Sequence, residues 1–357
     1  MPGSPPPDPA PSGALPEPPS TDACWPDELD ELFRRAVTAE YSSITRSGSP
    51  VTVPTTPYVS PDGRTLDVST GLTYPAKAER ARRNPKVSLL YADPVGSGLE
   101  DPPVVLVQGL AAVRDADLQA NTDRYVSVSM AKLPEATKGK PSFALRRMAW
   151  YFARIWIEVT PLHIYWWPDR SQDVAPREWH APEGATSPPS DPPPPGVQPP
   201  AWLAPPPSWE PLAADAMTRM AMADLTVVST DGFPACLPVT VTSMDLDGLR
   251  LEIGSGAVGV EGSSGAACLT FHHHPEAFTG QENRTFVGKL AAAGEPGAFH
   301  FEVERALADW SLSGGTATVA LGFLAKGRKL RPRLAAEASR RGQPVPKVRL
   351  SRTSRRA

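Results

Sequence analysis

One short stretch of the chain is rich in basic residues and directly follows a run of small hydroxyl residues. Ser69 and Thr70 end a predicted strand, and Gly71 follows it. Five cations then lie within ten positions: Lys77, Arg80, Arg82, Arg83 and Lys86. A bound phosphate needs cations together with hydroxyls or free backbone N–H groups at a helix start. Lys77 and Arg80 share a helix face, so they can converge on one phosphate. The pattern predicts an anion site, and a solvated basic helix is the alternative.

Three consecutive histidines, His272, His273 and His274, form a second conspicuous group. Alternate residues of an extended strand point to the same face, so His272 and His274 could both ligate a metal, or one of them a heme. No nearby cysteine or pair of carboxylates completes such a site in the sequence, although Glu276 is close. A polar strand end before Pro275 is the alternative interpretation.

Other motifs with chemical meaning are not found. The sequence has no Ser-His-Asp order, no phosphate-loop motif and no dinucleotide-binding glycine fingerprint, so we assign no catalytic acid or base. Cys24, Cys236 and Cys268 have neither metal nor disulfide spacing and are expected to be buried or idle thiols. The N-terminus lacks the pattern of a signal peptide, and no apolar run approaches the ~20 residues that span a membrane. The sequence therefore predicts a cytoplasmic protein without a membrane partner.

Prolines divide the chain into segments. Of the 44 prolines in 357 residues, nine lie in residues 1–20 and thirteen in residues 182–211. This distribution predicts five segments: a disordered leader (1–23), a first domain (24–180), a linker (181–211), a second domain (212–325) and a tail (326–357). The tail carries 12 Lys or Arg and one Glu. It lacks interleaved aromatic residues, so we do not expect it to bind nucleic acid; it is expected to be solvated or folded against the acidic second domain.

Hydrophobic residues alternate with period two through most of the chain, with few long helical patterns. Strands are predicted over 51–59, 65–70, 86–93, 104–113 and 153–167, the first interrupted by Pro54 and Pro57 and therefore at an edge. Helices are predicted over 27–41, 75–84 and much of 115–149. The expected fold is mainly β with helical insertions, an antiparallel barrel or sandwich.

The second half repeats the order of the first. The pattern Gly48, Pro50, Pro54 recurs 184 positions later as Gly232, Pro234, Pro238. KVSLLYAD then matches AACLTFHH, VLVQGLAAV matches TFVGKLAAA, and IEVTPLHIYW matches FEVERALADW. The last match aligns Glu158 with Glu302 and Trp166 with Trp310. Several matches in one order indicate a tandem duplication. The second copy is shorter near the basic helix and in the region of 115–149.

Residues 66–91 (LDVSTGLTYPAKAERARRNPKVSLLY) resemble the pyridoxamine 5′-phosphate oxidase-like, FMN-binding split-barrel family. The resemblance covers residues 27–167 well and 212–325 weakly. It implies a six-stranded antiparallel barrel that dimerises and binds FMN between two barrels. A tandem copy would then form a pseudo-dimer of two split barrels within one chain, which could pair again as a homodimer.

The resemblance also implies an FMN-dependent oxidoreductase with a small-molecule substrate, and it suggests roles for residues. Lys77 and Arg80 would neutralise the phosphate, Ser69, Thr70 and Gly71 would contact the phosphate or ribityl chain, and backbone at Pro54, Thr55 and Thr56 would approach the ring. The equivalent loop of the second copy, residues 254–265, has no Lys or Arg, so its site is expected to be degenerate. The alternatives are a deazaflavin cofactor, or a non-enzymatic carrier or sensor of flavin or heme. An interaction protein with polyproline ligands is a further alternative.

Overall fold

A computed structural model describes residues 24–350 except 137, 139–140, 202, 221, 261–264 and 309–315, and gives no side-chain detail for 136 and 316–325. The predicted leader, Glu261, Trp310 and the end of the tail (351–357) lie outside the described residues. The strands of the first half are β1 (Ala39–Ile44), β2 (Pro50–Thr55), β3 (Tyr58–Val59), β4 (Leu66–Gly71), β5 (Lys86–Tyr91), β6 (Val104–Arg114), β7 (Arg154–Trp167) and β8 (Arg177–His180). Its helices are α1 (Asp30–Arg35), α2 (Ala76–Arg83), α3 (Leu118–Lys132), α4 (Ser142–Arg146) and α5 (Ala149–Phe152), with 3-10 turns at Asp27–Leu29 and Pro134–Ala136.

The second half contains α6 (Glu210–Arg219), β9 (Met222–Val228), β10 (Pro234–Pro238), β11 (Thr240–Met244), β12 (Gly248–Glu252), β13 (Gly265–His273), β14 (Glu282–Ala292), β15 (Ala298–Ala306) and α7 (Thr316–Arg340). Its sheet has the order β10-β9-β13-β14-β15-β12-β11, and the first sheet has the equivalent order β2-β1-β5-β6-β7-β4-β3. Within the described ranges, every strand pair is antiparallel. The predicted fold class is therefore confirmed: the chain is mainly β and forms two tandem split barrels.

The repeat extends to local geometry. The β1–β2 hairpin turns at Gly48 (φ 86°) and the β9–β10 hairpin at Gly232 (φ 81°), a backbone region that favours glycine. The two central strands also bulge at matching places, at 108–109 in β6 and 287–288 in β14. A Cβ on Gly109 would lie 2.4 Å from the carbonyl oxygen of Thr160, so the bulge needs a glycine there.

The two halves differ where the sequence predicts a shorter second copy. Helices α3 to α5 are inserted between β6 and β7, whereas β14 and β15 are joined by residues 293–297 alone.

One predicted helix is wrong in its length. Residues 27–41 do not form one helix, because α1 ends at Arg35 and Ala39 begins β1. The strand β1 lies between β2 and β5, so sheet hydrogen bonds on both sides outweigh the helical periodicity.

The two barrels share a buried interface. Leu90, Leu106 and Trp167 of the first barrel lie in one apolar cluster with residues of β9 to β15. At the seam, the hydroxyls of Thr52 and Thr226 bond to each other, and Gln108 Nε2 donates to Pro234 O at 3.0 Å. These contacts form the predicted pseudo-dimer.

Part of the predicted tail is folded against the first barrel. Leu330, Leu334 and Ala338 of α7 repeat every four residues and lie in the apolar core of the first half. The tail therefore does not pack on the acidic second half through these residues, because their apolar stripe covers the first barrel. Within the described residues, no helix is both long enough and apolar enough to cross a membrane.

Candidate functional site

Three cations converge beside the loop that joins β4 to α2. Lys77 Nζ lies 3.3 Å from Thr55 Oγ1, and Arg80 Nε donates to Ser43 Oγ at 2.8 Å. Arg154, the first residue of β7, donates from Nη2 to the hydroxyl of Tyr125 at 2.8 Å. We call Lys77, Arg80 and Arg154 the cationic cluster. All three side chains are half-buried, and among the described residues none forms an ion pair with a carboxylate.

The pKa of Lys77 shows the electrostatic character of this cluster. Burial lowers it to about 7, with further lowering by the charges of Arg154 and Arg80. Burial also lowers the pKa of Arg80. Cations in such a setting are stabilised by a bound anion, which supplies the missing opposite charge. The cluster is therefore suited to hold a phosphate.

The end of β4 positions the small residues around the cluster. Gly71 pairs directly with Arg154 across the two strands, and Ser69 lies on the same face by the two-residue alternation. Thr70 points to the opposite face, and its hydroxyl donates to Tyr74 O at 2.7 Å. The predicted contacts of Ser69 and Gly71 remain predictions, whereas the Thr70 hydroxyl already closes the β4–α2 loop.

The end of β2 lies at the same place. Thr55 is buried and contacts Lys77, and Pro54 and Thr56 on either side are half-buried. The structure thus brings the predicted ring-contacting segment to the predicted phosphate residues. That a cofactor ring lies there remains a prediction.

The other basic residues of the stretch are engaged elsewhere or exposed. Arg82 pairs with Asp115 at 2.7 Å, and Lys86 Nζ lies 4.8 Å from the ring centre of Phe233 in the second half. Arg83 is exposed. Arg154 was not predicted as a site residue, because it is distant in sequence from the basic stretch. The signal that could have identified it is the register of β4 with β7, which places Arg154 opposite Gly71.

The described part of the matching loop in the second half, residues 254–260, packs against another segment of the chain. Residues 171–174, which follow β7, lie against it: Gly256 N donates to Gln172 O at 2.7 Å, and Ser255 Oγ donates to Asp173 O at 3.0 Å. Trp167 Nε1 donates to Gly256 O at 3.0 Å. The offset of 144 that aligns Glu158 with Glu302 also places Ala298 at the position of Arg154.

The histidines lie elsewhere, in a buried group between the barrels. His272 Nδ1 lies 3.2 Å from Glu40 Oε1 and 3.7 Å from Asp224 Oδ2. His272 Nε2 and His274 Nε2 both face Asp93 Oδ2, at 3.1 and 3.0 Å. The sequence near the histidines contains no pair of carboxylates, and the fold brings Glu40, Asp93 and Asp224 to them from distant segments.

Burial and neighbouring charge shift the pKa values in this carboxylate–histidine cluster. Burial raises the pKa of Glu40 to about 8, and it raises that of Asp224. Burial would lower the pKa of His272, but Glu40 and Asp93 raise it to about 9. The two Nε2 atoms face Asp93 rather than an open cleft, which argues against heme ligation by His272 or His274.

No protein-family model and no curated protein matches this chain. Similar solved structures include an F420 reductase (17% identity, 39% of this chain and 98% of that one, TM-score 0.30) and general stress protein 26 from Bacillus anthracis (16%, 43% and 95%, TM-score 0.28). Another is a protein related to general stress protein 26, of the pyridoxinephosphate oxidase family, from Clostridium acetobutylicum (12%, 43% and 92%, TM-score 0.31).

This chain combines the motif of residues 66–91 with a strand order that is repeated in its two halves. The chain is similar to the pyridoxamine 5′-phosphate oxidase-like split barrels. Identities of 12–17% assign no activity and no residue roles to this split barrel. Any activity and residue roles must be inferred from the geometry and charge of the cationic cluster.

Proposed function

We propose that the first split barrel binds the phosphate of a flavin-type cofactor, FMN first, and that the protein is a flavin-dependent oxidoreductase acting on a small molecule. The observation that carries the proposal is the cationic cluster, in which Lys77, Arg80 and Arg154 converge without a carboxylate partner among the described residues.

The charges of the cluster match this ligand. A phosphate monoester carries about −1.5 to −2 charges at pH 7. Lys77 and Arg154 supply opposite charge from two elements, and Arg80 adds a third cation from the helix that also carries Lys77. Arg154 Nε is buried and has no hydrogen-bond partner within the described part of the chain, so a donor is free for an oxygen atom. The residues present therefore fit the phosphate.

The chain's own residues would bind and orient the cofactor. Lys77 and Arg154 would hold the phosphate. Gly71 keeps the space beside the Arg154 guanidinium open, because a Cβ at this position would lie 3.0 Å from Arg154 Nη1. Thr55 contacts Lys77 and fixes the end of β2 beside the site. When bound, the cofactor supplies the hydride chemistry.

We infer one cofactor per chain. The second loop is packed against residues 171–174, and Ala298 stands where the first barrel has Arg154. A Cβ on Gly256 would lie 1.8 Å from Val174 O, so the two segments pack backbone to backbone. The second barrel would serve as the wall of the first site, since Cys268 of β13 accepts a hydrogen bond from Thr52 N of β2 at 3.4 Å.

A deazaflavin coenzyme is the second candidate. One similar structure carries the name F420 reductase, and the cationic cluster would hold the phosphate of either cofactor. A carrier or sensor without turnover would use the same site.

The proposal is tested by the visible spectrum of the purified chain and by titration with FMN and with a deazaflavin. The expected result is stoichiometric uptake of one of them by the wild type and loss of uptake in Lys77→Glu. Arg83→Gln is the matched control, because it removes a charge from the exposed side of the same helix. A protein that takes up neither cofactor, or a Lys77→Glu variant that binds like wild type, overturns the proposal. Substrate-dependent reduction then separates an enzyme from a carrier.

A further inference from the structure

The carboxylate–histidine cluster between the barrels lies outside the proposed cofactor site. Glu40 on β1 and Asp224 on β9 are equivalent residues of the two halves: each lies opposite the second proline of its hairpin, Glu40 opposite Pro54 and Asp224 opposite Pro238. The duplication therefore brings two carboxylates, one from each half, to the same point on the interface.

His272 faces both carboxylates. Its Nδ1, a carboxylate oxygen of Glu40 and one of Asp224 all lie within 4.8 Å of one another, and the three side chains are fully buried. Apart from these contacts with one another, four atoms of the three side chains have no hydrogen-bond partner among the described residues: both oxygens of Glu40, Asp224 Oδ2 and His272 Nδ1. Buried polar atoms without partners are costly, so their convergence points to a missing ligand.

The remaining atoms of the same side chains are already held by neighbours. His272 Nε2 lies 3.1 Å from Asp93 Oδ2, and Arg170 Nη2 donates to Asp224 Oδ1 at 3.3 Å. Val95 N donates to Asp93 Oδ1 at 2.9 Å and fixes that carboxylate in turn. A histidine held by a carboxylate through one nitrogen, with the other nitrogen free, is the usual arrangement of a metal ligand.

The distances and the charge both suit a divalent cation. Donors about 2.0–2.1 Å from a tetrahedral zinc ion are about 3.3 Å apart. The distances from His272 Nδ1 to Glu40 Oε1 and Asp224 Oδ2 are 3.2 and 3.7 Å. A metal ion needs ionised carboxylates and a neutral imidazole, so its binding would release the protons held by Glu40 and His272. Glu40, Asp224 and Asp93 then carry three negative charges and Arg170 one positive charge, and one divalent ion balances the net charge of −2.

We propose that Glu40, Asp224 and His272 bind one divalent transition-metal ion, zinc by its ligand preference, which joins the two barrels. His274 is not a ligand; it helps to hold Asp93, which orients His272. Glu40 is the only one of the three from the first barrel, so the ion stabilises the docked arrangement of the halves. The proposal is independent of the cofactor proposal.

The test uses the full chain, stripped with a chelator and titrated with ZnCl₂ by calorimetry, with metal content measured by mass spectrometry. The wild type is expected to bind one Zn²⁺ per chain and to unfold at a higher temperature when loaded. Glu40→Gln and Asp224→Asn keep the side-chain shapes, and each should weaken zinc binding at least about tenfold. His273→Gln, an exposed neighbour on the same strand, is the matched control and should bind like wild type.

Cobalt substitution provides a second readout, because a site with one imidazole and two carboxylates gives visible Co²⁺ absorption that Glu40→Gln should change. Far-UV circular dichroism shows that the variants are folded, and FMN uptake by the same variants separates this site from the cofactor site. A wild type that binds no stoichiometric Zn²⁺ overturns the proposal, since protons alone then balance the buried carboxylates. Folded Glu40→Gln and Asp224→Asn variants that bind Zn²⁺ as tightly as wild type also overturn it.

Discussion

Gly71 and Arg154 lie directly opposite each other on β4 and β7, and a Cβ on Gly71 would lie 3.0 Å from Arg154 Nη1. The rings of Tyr125 and Tyr151 also contact the guanidinium, with their centres 4.0 and 5.0 Å from Arg154 Cζ. The glycine and the two tyrosines together fix this cation at the strand end, near Lys77.

Arg154→Met should weaken FMN binding. Hydrogen bonds to charged groups contribute about 1.5–3 kcal/mol, so we expect a loss of about tenfold or more. Gly71→Val should weaken binding in the same direction by displacing the guanidinium. Fluorescence titration measures both, with Arg147→Met, an exposed arginine near the end of the inserted helices, as control. Wild-type affinity in Arg154→Met contradicts this role.

FMN affinity should fall as the pH rises above 7. Burial, Arg154 and Arg80 lower the pKa of Lys77 to about 7 in the free protein. A bound phosphate raises this pKa, so binding takes up a proton above pH 7, and the affinity should fall by up to about tenfold per pH unit until the pKa of the complex is reached. Calorimetry in two buffers of different ionisation enthalpy measures the uptake, which should be absent in Lys77→Met. A flat affinity between pH 7 and 9 contradicts the assignment.

Gly256→Ala should destabilise the protein where the first barrel packs on the second loop. The new Cβ would lie 1.8 Å from Val174 O, and overpacking of this kind costs about 1–3 kcal/mol. Thermal unfolding followed by circular dichroism measures the loss. Ser255→Ala, next to it and on the exposed side, removes one hydrogen bond and should cost less. Equal unfolding temperatures for wild type and Gly256→Ala would show that residues 171–174 do not pack there.

Arg341→Met should destabilise the first barrel. Arg341 pairs with Glu337 at 2.7 Å and with Asp115 at 2.9 Å, and all three side chains are at most 3% exposed. Removal of one partner from a buried ion pair costs about 3–5 kcal/mol, because the other charges stay buried. Chemical denaturation measures this cost, and Arg331→Met on the exposed face of α7 should change little. A loss equal to that of Arg331→Met would mean that the tail is not part of the barrel.

The fold was largely predictable from the sequence because the duplication leaves a pattern at fixed offsets. The Gly48 and Gly232 turns, the two edge strands rich in proline and the missing insertion in the second half all follow from it. The strand β1 was not predictable from local pattern, because Leu29, Leu32 and Phe33 begin a helical periodicity that only sheet pairing interrupts at Ala39.

The site was predictable only in part. Lys77 lies in the motif and can be found by spacing, but Arg154 reaches it through strand register across 77 positions of sequence. The proximity of Glu40 and His272 was not predictable for the same reason, because the two residues lie on strands of different halves. The offset of 184 residues that aligns Glu40 with Asp224 was the available signal, since it shows a carboxylate at the same place in both copies.

Phosphate binding by the cationic cluster is tested most directly by a comparison of FMN with riboflavin, which lacks the phosphate. The wild type should bind FMN at least about a hundredfold more tightly, because two charged contacts of about 1.5 kcal/mol each are lost with riboflavin. Lys77→Met should reduce this preference and leave riboflavin affinity unchanged. Equal affinities of the wild type for FMN and riboflavin would contradict the account.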